Sequence, residues 1–463
     1  MKIFLRKRTL YRRLMGNRSR GPMTKIKLES LKSYKKKFNS TPRYCLARNA
    51  LTRTKLGESA LDWERFRQIN HSFSHKVPQE LKVTAQKQSG RCWLFAATNL
   101  LRLKLAQKYK LEEFEFSQAY LFFWDKLEKA NYFLQCVIDT ASEPIDSRLV
   151  MHLFSKPLED GGQWHMFVSL VEKYGLVPKS IYPDSSGCML STELNQPIIE
   201  KLREYGAILR EHAGKKANEL SKMKDQMIEE VYRMLAIHLG VPPDKFDWEF
   251  KDKNKKFHAF RDLTPLQFFH QHVKTDLGSY VCLVHSPRKI TPYYKPFSIQ
   301  QLGNVVEGRQ IIYVNVPIEI MKDATLKTIK EGEPVWFGCD VGKYLHRELG
   351  IMDQKLFDYD LVYDVKFNMT KEERINHGSS MMTHAMLFTG VNIVDGKPNR
   401  WRVENSWGED RGEKGYYIMD DDWFDEYMFE VAIESKHLPK KVLDALKEPP
   451  IFLPPWDPFG SLA

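Results

Sequence analysis

The spacing of apolar residues changes along this chain, and that change restricts the folds open to it. After a polar loop over residues 86–91, Leu94, Ala97, Leu101 and Leu105 recur every three or four residues. That spacing predicts a helix beginning near Cys92. Residues 197–240 carry two more helical patterns. The second places Leu220, Met223, Met227, Val231, Met234 and His238 on one face, with Gly240 as its C-terminal cap. Residues 246–250 alternate apolar and polar, and a polar turn precedes Phe257, which predicts a β-hairpin. The last third reads as strands, at 311–316, 382–391, 401–405, 416–419 and 429–433. Helices first and strands later imply an α+β fold with an inserted helical section. The proline-rich stretch 449–458 excludes a helix and predicts an extended arm.

Charge is distributed as unevenly as the periodicity. The first 57 residues hold eighteen Lys/Arg and one acid, Glu29, a net +17. The whole chain is only +12, so residues 58–463 sum to −5. The basic excess therefore belongs to a leader, which weakens a nucleic-acid reading of the whole chain. The leader is rich in Arg, with apolar tracts too short for a secretory signal. It is compatible with mitochondrial targeting, with a solvated tail, or with sequence upstream of a start at Met23. No run of eighteen apolar residues occurs, so no membrane span is expected. The six cysteines, at 45, 92, 136, 188, 282 and 339, form no CxxC pair and no zinc-type cluster with histidine. Free thiols in a reducing compartment are the expectation.

Three residues carry chemistry together that none carries alone. A thiol at a helix N-terminus, as at Cys92, feels the positive end of the helix dipole, which favours the thiolate. Taken singly, though, a free cysteine is more often just buried. His384 lies in an apolar strand-like run, where a lone histidine is usually a core residue. Asn405 follows a strand, where a side-chain amide usually shapes a turn. As a set, Cys92, His384 and Asn405 are the nucleophile, base and base-orienting group of a thiol hydrolase. No metal or organic cofactor is called for.

The surrounding blocks, in this order, resemble the papain superfamily of cysteine peptidases. They are Gln86 with Ser89-Gly90-Arg91-Cys92-Trp93, then Gly161-Gly162-Gln163-Trp164, then His384-Ala385, then Asn405-Ser406-Trp407-Gly408. Within it, the loop 86–93, the stretch 161–175 and the tail 456–463 resemble the bleomycin hydrolase family, from about Leu28 to Ala463. The resemblance implies a papain-like two-lobed core and a cysteine aminopeptidase working through a thioester. It assigns catalysis to Cys92, His384 and Asn405, and the oxyanion hole to Gln86. It assigns substrate binding to Gly161, Gly162, Trp407 and the carboxylate of Ala463, which meets the free amine of a peptide. It also implies a cytoplasmic homohexamer acting on peptides with free N-termini, and on analogues such as bleomycin.

Departures from the superfamily are informative. Ser89 stands where secreted members have a disulfide-bonded cysteine. Cys92 and His384 are 292 residues apart, against ~130–150 in papain-like enzymes. The excess falls in 197–330. His165 stands where an acid is expected, and reads as subsite tuning or surface variation. The expected organisation is a basic extension 1–27, a core segment 28–196 with the nucleophile helix, an insertion 197–330, a β-rich lobe 331–448 and a gating arm 449–463. The reading from another class is a basic nucleic-acid-binding protein on a peptidase scaffold. Its contact would be a weak, salt-sensitive one through the basic N-terminal segment. An intact Cys92, His384 and Asn405 weighs against it.

Overall fold

The computed structural model describes residues 24–462. The most basic part of the leader, and the carboxylate expected of Ala463, lie outside the described residues. The chain divides into two compact units. The smaller comprises the described residues up to Leu61 together with Phe357–Phe367. Its helices α1 (Leu28–Asn39) and α2 (Pro42–Leu51) bury no side chain. Ile26, Leu28, Leu31, Tyr34 and Leu46 stand exposed there. Tyr44 and Arg43 both hold Asp364, at 2.7 and 2.5 Å.

The larger unit is α+β. Its first long helix, α3 (Cys92–Tyr109), is buried on nearly every side, with its buried Asn99 and Arg102 bonded to Glu404. Against it lie α4 (Gln118–Asp139) and α5 (Trp164–Tyr174), and α6 (Ser191–Glu211) and α7 (Ala217–Leu239) pack on α4. α7 buries Leu220, Met227, Val231, Leu235 and Leu239. His238, expected on that face, is exposed, because the buried stripe advances by four residues from Val231. Gly240 takes φ 84° and closes the helix onto the Ala236 carbonyl. The expected hairpin is β1 (Phe246–Lys251) with β2 (Phe257–Leu263).

A twelve-stranded sheet forms the centre of this unit. Its strands include β3 (Tyr280–Val284), β4 (Pro296–Ile299), β5 (Tyr313–Asn315), β6 (Val335–Cys339), β7 (His384–Val394), β8 (Lys397–Glu404), β9 (Tyr416–Asp420), β10 (Met428–Glu434) and β11 (Ile451–Leu453). The lateral order runs β11-β4-β5-β3-β10-β6-β7-β8-β9, with two short strands beyond. Successive side chains face opposite sides of a strand, so the sheet separates two cores. Trp336 and Leu387 join the core that holds α3, α4 and α5. Phe337 and Phe388 join the other, where they stack at 3.9 Å. No helix among the described residues is long and apolar enough to cross a membrane.

The tail is extended, as its prolines require, and it is fastened. β11 pairs in parallel with β4. Asp457 receives two bonds from Arg288, at 2.8 and 2.9 Å, with both side chains buried. Phe459 packs against Phe297 and Phe429. The Arg148 guanidinium lies 4.0 Å from the Trp456 ring centroid.

Candidate active site

α3 packs across β7, and this crossing brings the chemistry together. Cys92 is the first residue of α3, and His384 the first of β7. The Cys92 sulfur accepts from the backbone of Ala385, the residue after His384. β7 then turns into β8, whose end carries Asn405 back beside His384. His384 Nε2 lies 2.9 Å from Asn405 Oδ1. The amide oxygen therefore fixes which ring nitrogen carries hydrogen, leaving Nδ1 as the basic site. The Trp407 ring lies 4.9 Å from the His384 ring, centroid to centroid, and covers it from one side.

Burial dominates the electrostatics. It pushes the Cys92 thiol up to about 11, against hydrogen bonds from Ala385, Trp93 and its own backbone that favour the thiolate. The dipole argument made from position alone is thus outweighed by desolvation. Burial likewise brings His384 down to about 4, against the bond to Asn405 that raises it. Each group alone is neutral. A proton passed from Cys92 to His384 creates two charges without changing the net charge of the site.

Gln86 is buried at the mouth of the nucleophile loop. Its backbone N–H donates to the Ser406 carbonyl at 2.8 Å. Its Oε1 accepts from Ser406 Oγ at 2.6 Å, and its Nε2 donates to the Ser89 carbonyl at 2.5 Å. Lys87, next in the chain, takes φ 55°, which turns the loop tightly enough for Ser89 Oγ to reach the Gln86 carbonyl at 2.6 Å. One Nε2 hydrogen of Gln86 remains for a further acceptor.

The Gly161-Gly162 segment lies against the nucleophile helix. A Cβ at Gly162 would stand 2.5 Å from the Trp93 ring, so only glycine lets the main chain lie flat there. Lys129 donates to the Gly161 carbonyl at 2.5 Å. The chain end reaches the same place. Gln163 Nε2 donates to the Ser461 carbonyl at 2.8 Å. Ser461 Oγ donates to the Met382 carbonyl at 2.7 Å, two residues before His384.

Cys92, His384, Asn405, Gln86, Gly161, Gly162 and Trp407 thus converge. His165 does not lie on the surface: its ring turns inward, with Nδ1 3.5 Å from Cys282 Sγ, and burial brings it down to about 4. Asp160 and Lys126 were not singled out from sequence, and Gln163 and Ser406, though inside the quoted blocks, were given no role. The signal available for Asp160 was its place immediately before the two glycines.

Comparison with known proteins gives the family of the chain. A model of the peptidase C1-like family matches residues 25–460. Bleomycin hydrolase of Gallus gallus is 46% identical over 449 residues, 95% of this chain and 99% of the relative. Aminopeptidase C of Listeria innocua is 44% identical over 440 residues, 95% and 99% of the two chains. The crystal structure of PepW from Lactobacillus rhamnosis superposes with a TM-score of 0.93 at 42% identity, covering 95% of this chain and all of that one.

Proposed function

This chain belongs to the peptidase C1-like family and is a cysteine aminopeptidase, and we propose that Cys92, His384 and Asn405 carry its reaction. The observation that bears most weight is the His384–Asn405 bond beside the Cys92 thiol. In the proposed course, Cys92 passes its proton to His384 and attacks the carbonyl carbon of the peptide bond after the N-terminal residue. The oxygen that becomes negative is met by the free Nε2 hydrogen of Gln86 and the backbone N–H of Cys92. Collapse breaks the C–N bond, and His384 returns the proton to the leaving amine. Water, deprotonated by His384, then cleaves the thioester and frees the amino acid.

Substrate selection is assigned to the tail. The carboxylate of Ala463 would pair with the free amine of the substrate and exclude longer chains. What supports this is the fastening of Ser461 to Gln163 and to Met382. Gly161, Gly162 and Trp407 would line the same cleft. Bleomycin, whose name a relative bears, is among the amide analogues proposed as substrates. Six free thiols fit a reducing, cytoplasmic setting. The exposed apolar residues of α1 fit a homohexamer, and light scattering reads that directly. The weak nucleic-acid contact is the second reading; of its two basic stretches, 6–20 lies outside the described residues and 32–37 lies on α1.

The test is a panel of aminoacyl fluorogenic substrates with free and with blocked amines. Cleavage of the free-amine members alone, lost in Cys92→Ala, is expected. Turnover retained by Cys92→Ala would remove the assignment.

A further inference from the structure

Asp160 precedes the two glycines and is bonded to four elements at once. Its Oδ2 accepts from the Gly90 N–H at 2.9 Å and from Ser191 Oγ at 2.5 Å. Its Oδ1 accepts from Lys126 Nζ at 2.5 Å and from Asn195 Nδ2 at 2.7 Å. The acceptor capacity of the carboxylate is filled. The Asp160 main-chain carbonyl accepts from Trp93 Nε1 at 2.9 Å. Gly90 lies two residues before Cys92, and Trp93 one residue after it.

The neighbouring carbonyls are tethered as well. Glu159 receives Lys126 at 3.0 Å and Lys129 at 3.1 Å, and Gly161 receives Lys129. Three successive carbonyls are therefore committed, two to lysines of α4 and one to Trp93. The approach is also sterically tight, since a Cβ at Gly90 would stand 2.7 Å from the Asp160 Cβ. Lys126 is wholly buried and balances the Asp160 charge. That balance, with hydrogen bonds from Ser191 and Gly90, holds the Asp160 carboxyl well below the usual range despite its burial.

We propose that Asp160 is a positioning residue for hydrolysis, which clamps the turn carrying Cys92 against the Gly161-Gly162 edge and joins both to α4 and α6. This inference rests on Cys92 being the nucleophile. Where the reacting atoms must meet within a fraction of an ångström, the loss of such a clamp lowers turnover more than binding. The residue touches no substrate and acts through Gly90 and Trp93.

The deciding variant is Asp160→Ala combined with Lys126→Met, which removes the clamp without leaving a buried cation unpaired. We expect kcat to fall by ~10–100-fold with KM within about threefold of the parent, while the melting temperature stays close to the parent's. Parental kcat in that folded variant overturns the proposal. If it does not fold, Asp160→Asn decides by the same kcat and KM readings, since it keeps the shape of the side chain and loses the charge that holds Lys126. A lower kcat with KM held is expected, and parental kcat overturns the clamp. Turnover by Cys92→Ala, run in parallel, would instead overturn the nucleophile assignment beneath it.

Discussion

Gln86 and Ser406 hold each other at two points: backbone N–H to carbonyl at 2.8 Å, and hydroxyl to amide oxygen at 2.6 Å. The second bond orients the Gln86 amide. With its oxygen occupied, its NH2 group must face the nucleophile loop.

This orientation predicts a pair of graded losses. Gln86→Ala should lower kcat by ~10²–10³-fold, the usual cost of one oxyanion donor. Ser406→Ala leaves the donor in place but frees it to rotate, so a smaller loss is expected, with KM little changed. Steady-state kinetics on a free-amine substrate checks both, and equal losses would contradict an orienting role for Ser406.

Asn405→Ala should cost ~10²-fold in kcat, the lower end of what a placed general base contributes. His384 would keep its position on β7 but lose the bond that fixes its ring. The pH–rate profile should also change shape, since the bond to Asn405 raises the pKa of His384 in the parent.

Burial pushes the Glu430 carboxyl, hydrogen-bonded to the Cys282 thiol, up to about 8. The unfolded chain releases that proton near pH ~4.3, while the folded chain keeps it until about pH 8. The contribution to stability is therefore full at low pH, falls as pH rises through this window, and is level above it. Glu430→Gln should flatten the dependence, so that at about pH 8 the variant melts above the parent. Thermal melts at several pH values decide it, and parallel curves would refute it.

Arg288→Met leaves Asp457 buried without its partner. Loss of one member of a buried pair costs ~3–5 kcal/mol, and here it loosens the root of the arm. Products should shift toward internal cleavage of longer peptides, read by mass spectrometry. Arg288→Met with Asp457→Leu should regain melting temperature; unchanged products in the single variant would separate the arm from substrate selection.

Gly162→Ala places a methyl group 2.5 Å from the Trp93 ring. Overpacking of this kind costs ~1–3 kcal/mol. It should appear as a lower kcat/KM, because the wall that moves borders the nucleophile.

Much of this was legible in one dimension. α3 begins at Cys92, where its apolar spacing begins, and β1, β2 and β7–β10 fall where alternation and apolar runs put them. Those signals are local and periodic. The blocks around Cys92, Gly162, His384 and Asn405 marked the site because each is a short run of unusual residues. The clamps were not legible. Ser406 meets Gln86 across 320 residues, and Asp160 meets Asn195 across 35. A single polar side chain with a distant partner leaves no spacing to read. The upward push of burial on the Cys92 thiol was not legible from its helix position, because the extent of burial is a property of the packed molecule, not of the helix start.

The crossing of α3 and β7 also sets a timetable. The thiol is made 292 residues before its base. At ~5–20 residues per second of synthesis, the nascent chain exposes Cys92 for some tens of seconds without His384 to deprotonate it. The tail to which substrate selection is assigned, residues 449–463, comes later still. On the proposed assignment, residue order alone leaves the ribosome-bound chain without the base that its thiol needs.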